Sequence, residues 1–112
     1  MTVEYKVVKL GVREALPQIK QKLLGYMSRH NGIYIGVTTN PQRRARNHER
    51  MGRSRMVVLY EAWTAPIAAS MEEELIAWAA ATNFLLEREN RGRGGESIPE
   101  DSETWYVYVA LS

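Results

Sequence analysis

The chain has 112 residues, enough for one domain with a modest core. Its 45% apolar and 25% charged content is that of a soluble globular protein, and the absence of cysteine excludes disulfides and thiolate metal sites. A net charge of +2 is too small to name a partner, while the lack of a long apolar run or a signal-peptide pattern predicts a cytoplasmic protein with no membrane association.

Residues Val3 to Leu10 read as a short strand or extended arm. From Val12 to about Met27, Leu16, Ile19, Leu23, Leu24 and Met27 recur at helical spacing. Pro17 is expected in the first turn or at the helix start, and Gly25 at its end. Asn31-Gly32 signals a turn. The run Ile33 to Val37 alternates as a strand, with Ile33, Ile35 and Val37 on one face and Tyr34 and Gly36 on the other. Asn40 is a good N-cap and Pro41 suits a first helical position, so a helix is expected from Pro41 to about Arg50. Arg44 and His48 share one face of it, and it has almost no apolar stripe. Such a helix faces solvent or a polar ligand.

A loop over Met51 to Arg55 leads to a second strand, Met56 to Trp63, whose apolar run predicts burial on both faces. A long helix follows from about Pro66 to Phe84. Residues 87–102 hold three glycines, a proline and many charges, and read as a loop. The chain closes on a strand over Thr104 to Leu111. There Trp105, Val107, Val109 and Leu111 form one face, and Tyr106, Tyr108 and Ala110 the other. Trp63 and Trp78 read as core. The expected class is α+β, a small antiparallel sheet flanked by helices. It forms a single domain over 1–112, with a strand or arm and a helix in 1–30 and a motif-bearing core in 31–112.

Two features point to chemistry. Arg43, Arg44, Arg46, Arg50, Arg53 and Arg55 crowd thirteen residues diluted only by Glu49, while acids gather at Glu72-Glu73-Glu74 and from Glu96 to Glu103. Such a segment is either a solvated face or a phosphate-binding one, and guanidinium matches phosphate geometry better than ammonium does. On the long helix, Glu72 falls inside the apolar arc between Ala79 and Ile76, whereas Glu73 lies well outside it and Glu74 at its edge. A carboxylate aimed inward must be paired, hydrogen-bonded or on a metal. Its partner is either an arginine such as Arg44 or a cation.

The corner Tyr34-Ile35-Gly36, with Thr38, Asn40, Arg44 and His48 behind it, resembles the second half of the GIY-YIG nuclease motif. Glu72-Glu73-Glu74-Leu75-Ile76 is similar to that family's metal-binding helix, Glu-x-x-Leu-Ile, and stands in the expected order. The resemblance covers about Asn31 to Ile76. It implies a GIY-YIG-like fold and a metal-dependent endonuclease, a hydrolase of DNA phosphodiester bonds using Mg2+ or Mn2+. Glu72 would hold the metal. Arg44 would face the phosphate, Tyr34 would orient water or share its proton, and His48 would hold a tyrosine in place. The family's first motif carries a second catalytic tyrosine on a strand that here has no good copy before Tyr34. Trp105-Tyr106-Val107-Tyr108-Val109 resembles that strand, which makes Tyr108 the candidate in a circularly permuted chain; Tyr26, in Gly25-Tyr26-Met27, is the other. Asn90 and Gly94 resemble a family loop that follows the glutamate helix. DNA contact is expected from Arg43, Arg46, Arg50, Arg53 and Arg55 together with that loop. Sequence preference would come from loops, from a homodimer or from a targeting partner. Two other classes remain: a catalytically inactive nucleic-acid-binding module of the same fold, and a structural protein in which Glu72 and Arg44 simply pair.

Overall fold

The computed structural model describes residues 1–82 and 104–112. It is an α+β domain with a four-stranded sheet and three helices. The elements run β1 (Val3–Tyr5), α1 (Val12–Arg29), β2 (Ile33–Thr38), α2 (Pro41–Arg50), β3 (Arg55–Ala62), α3 (Ala65–Ala81) and β4 (Trp105–Leu111). Among the described residues no helix is long and apolar enough to cross a membrane.

The sheet order is β1-β3-β4-β2. β4 runs antiparallel to both β2 and β3, as expected. β1 differs: it pairs parallel to β3, with Val3 beside Met56, so the sheet is mixed rather than antiparallel. A strand of three residues carries no local mark of its partner's direction. The connection from β1 to β3, through α1, β2 and α2, is long enough for the crossover that a parallel pair requires.

The two sheet faces separate as the alternation predicts. Ile33, Ile35, Val37, Val109 and Leu111 pack with Ile19 and Leu23 of α1 and Met71 and Leu75 of α3. Tyr34, Met56, Val58, Tyr108 and Ala110 face the other way, onto Ala45 of α2. The alternation of β3 breaks once. Val58 lies opposite Tyr108 but Tyr60 lies opposite Val107, so Leu59 is bulged out of register. Leu59 and Tyr60 therefore both enter the α1/α3 core, and Tyr60 donates to the carbonyl of Leu10 at 2.8 Å.

Three expectations change. Gly25 lies inside α1, which continues to Arg29, and Pro17 sits in its second turn. Trp63 follows the end of β3 and is 88% exposed, so it is not core. Trp78 is half-buried and packs against the edge of the core.

Candidate active site

The site grows from the α2 face of the sheet. Register puts Tyr108 of β4 opposite Gly36 of β2. A Cβ on Gly36 would lie 2.7 Å from Tyr108 Oη and 2.8 Å from Tyr34 Cε1. Glycine is required there because two phenol rings close over it. The rings of Tyr34 and Tyr108 are 6.2 Å apart and nearly parallel, at 26°.

The turn into α2 is built from side-chain caps. Thr38 Oγ1 accepts the Asn40 amide at 3.0 Å, and Asn40 Oδ1 accepts the Arg43 amide at 3.1 Å. Pro41 occupies the first turn, where a missing N–H costs nothing. This geometry aims Ala45 and His48 at the sheet; both are buried. Ala45 is the small residue that lets the helix approach.

His48 Nε2 then lies 2.8 Å from Tyr108 Oη, and Arg44 Nε donates to the same oxygen at 3.2 Å. The His48 ring sits 4.7 Å from that of Tyr34 and 5.4 Å from that of Tyr108. Groups sixty residues apart in the chain thus meet on one oxygen.

Arg53 enters from below. Met51 caps α2, Gly52 takes φ +89°, the Gly52 amide bonds the Glu49 carbonyl at 3.1 Å and the Arg53 amide bonds the His48 carbonyl at 3.0 Å. That is a Schellman turn, and it folds the chain back onto the helix end. Arg53 Nη1 lies 3.0 Å from His48 Nδ1 and 2.9 Å from Met51 Sδ, and its guanidinium stands 4.9 Å over the Tyr34 ring. Arg53 is only 4% exposed. Its side chain lies within the site instead of on the basic surface expected for it. Gly52 directly behind a helix was the signal that could have shown this.

Glu72 is buried on α3, as its place in the apolar arc predicts. α3 packs over β2 and β4 on the face opposite α2, and β2 is one of the sheet's two edge strands. The sheet therefore stands between the helix that carries Glu72 and the helix that carries Arg44 and His48. Among the described residues no three His, Cys, Asp or Glu side chains cluster as metal ligands.

The remaining candidates divide. Arg43, Arg46 and Arg50 are exposed on α2, and Arg44 is half-buried. Asn90 and Gly94 lie outside the described residues. Arg55 is held elsewhere: its guanidinium grips Glu4 at 2.6 and 2.9 Å, lies 5.1 Å from the Tyr26 ring and reaches 3.5 Å from His30 Nε2. Its hydrogen bonds hold the Glu4 carboxyl below the usual range, and Glu4 in turn raises Arg55. Burial, then the charge of Arg55, lowers His30; burial raises Tyr26. Tyr26 belongs to the α1/α3 core, so of the two candidate first-motif tyrosines it is Tyr108 that touches Arg44 and His48. Tyr106 is half-buried at the edge of the α2 face, and burial raises its phenol. No protein-family model matches the chain, and no curated protein or solved structure matches it either.

Proposed function

We propose that the protein is a metal-dependent DNA endonuclease with a circularly permuted GIY-YIG-like fold. The observation that carries this reading is the oxygen of Tyr108, bonded by Arg44 and packed over Gly36 from a strand that comes last in the chain. In that reading β4 supplies the first-motif tyrosine, and permutation is cheap because adjacency in the sheet matters more than chain order.

Each group has a physical task. Arg44 is a permanent cation beside Tyr108 and faces the nonbridging phosphate oxygens as charge builds on them. Tyr34 orients the attacking water. The water oxygen bonds phosphorus as the bond to the leaving oxygen breaks; the water proton passes to the Tyr34 oxygen as the phenol gives its own proton to solvent, and the leaving oxygen takes a proton from solvent. The Arg53 guanidinium lies 4.9 Å over the Tyr34 ring and helps to hold it in place. A hard cation such as Mg2+ or Mn2+ binds through one or two carboxylates plus water and substrate phosphate, and in this reading Glu72 would serve it from α3 past the edge of β2. When bound, that ion polarises a phosphate oxygen and stabilises the leaving one. The exposed Arg43, Arg46 and Arg50 form the phosphate track alongside.

The test is nicking of supercoiled plasmid in magnesium. Wild type should cut, and Glu72→Ala should stop cutting while DNA retardation on gels persists. A second reading has its own support: Tyr34, His48 and Tyr108 are 5%, 1% and 0% exposed, which suits an inert nucleic-acid-binding module. That module would retard DNA in a salt-sensitive way and never cut it.

A further inference from the structure

Among the described residues no large apolar side chain is as exposed as Trp63, at 88%. Leu10 and Ile67, also exposed, border the same cleft, and exposed apolar groups that adjoin one another mark a contact surface. The cleft lies between the link from β1 to α1, the end of β3 and the first turn of α3. It encloses about 660 Å3, within the range of small-ligand sites. Its walls are pinned. Tyr60 Oη donates to the Leu10 carbonyl at 2.8 Å, and Thr64, next after Trp63, caps α3 by accepting the Ile67 amide at 3.3 Å.

Two exposed charges, Lys9 and Glu61, stand at this cleft. An indole offers a face on which a base can stack. An ammonium pairs with a phosphate. A carboxylate turns phosphate away and accepts from the amino group of a base. The three together suit a nucleotide, with base and phosphate held at separate points. Glu61 lies opposite Tyr106, and Tyr106 shares a face of β4 with Tyr108, about 7 Å along the strand. The cleft thus opens beside the row of groups that starts at Arg44 and Tyr108. We propose that it binds an unpaired nucleobase of the strand whose phosphate Arg44 engages, stacked on Trp63, with its phosphate toward Lys9 and its amino group toward Glu61. Stacking and a contact to the pairing edge both require the duplex to be open there. The choice of a nucleic acid rests on the nuclease reading.

Fluorescence anisotropy of labelled oligodeoxycytidylate, oligothymidylate and a fully paired duplex tests this on the full chain. Trp63→Ala should weaken both single strands about fivefold to a hundredfold, the range for removing one stacking ring, and leave duplex affinity and melting unchanged. Wild type should hold oligodeoxycytidylate more tightly than oligothymidylate, whose base has no amino group. Glu61→Gln, whose amide donates as well as accepts, should level the two. Lys9→Gln should weaken both single strands and lower the salt slope of binding by about one. Unchanged single-strand affinity in Trp63→Ala overturns the proposal, as does an equal loss on duplex. Equal wild-type affinity for the two oligomers overturns the role of Glu61. A dimer in sedimentation that Trp63→Ala dissolves also overturns the proposal, because the face would then belong to a second copy of the chain. Single-strand binding through Trp63 without plasmid cleavage would end the nuclease reading alone. Cleavage by a wild type that ignores single strands would end this inference alone.

Discussion

The two faces of one sheet do different work. Against α1 and α3 the strands present Ile33, Ile35, Val37, Val109 and Leu111 to aliphatic partners. Against α2 they present Tyr34, Gly36 and Tyr108 to a histidine and two arginines. A buried aliphatic side chain contributes about 1.5–3 kcal/mol by leaving water. A net hydrogen bond contributes only about 1 kcal/mol. The first face should thus carry most of the stability. The second is held in a single arrangement at modest energetic gain.

The largest test of that contrast is on the aliphatic face. Leu75→Ala should cost about 2–5 kcal/mol in urea unfolding, because it empties a fully buried site between α3 and the sheet. A cost below about 1 kcal/mol would break the contrast. On the other face, Gly36→Ala forces a methyl against two rings and should cost about 1–3 kcal/mol, with the rings displaced and cleavage lost. Full activity in this variant would show that the close packing of Tyr34 and Tyr108 is incidental. Gly52→Ala is smaller again, roughly 1 kcal/mol, since a side chain at φ +89° is strained though nothing lies near it. It should also shift Arg53 away from His48 and the Tyr34 ring.

The smallest effect belongs to Glu4 and Arg55, outside both faces. Arg55 depresses the Glu4 carboxyl, so between the lowered and ordinary values the unfolded chain binds more protons than the native one. The stabilisation is complete above the ordinary glutamate value of about 4.3 and fades as pH falls through the lowered one. Melting temperature should therefore drop more steeply in wild type than in Glu4→Gln below about pH 4. Equal slopes would remove Arg55 from the account of how β1 is held.

Much of this was legible along the chain. The limits of α2 follow from Asn40 and Pro41 at one end and Gly52 beyond the other. The sidedness of β2 and β4 follows from strict alternation, and the inward aim of Glu72 from helical phase. What escaped were facts about partners. Nothing local to Val3–Tyr5 reveals a parallel neighbour, and the bulge at Leu59 depends on a register set across strands. Trp63 looked apolar enough for a core, yet it stands one residue past the strand end. Arg53 and Arg55 are alike in sequence and unlike in place. A left-handed Gly52 folds the first under His48, while the second starts β3 and meets Glu4.

The most direct measurement compares plasmid cleavage by Tyr108→Phe and Tyr26→Phe. Both tyrosines are buried, one on each face of the sheet. Losing only the hydroxyl at Tyr108 should lower the cleavage rate by about a hundredfold or more at a stability cost of about 1–3 kcal/mol, while Tyr26→Phe cuts like wild type. Cleavage that survives in Tyr108→Phe and disappears in Tyr26→Phe would contradict the account at its centre.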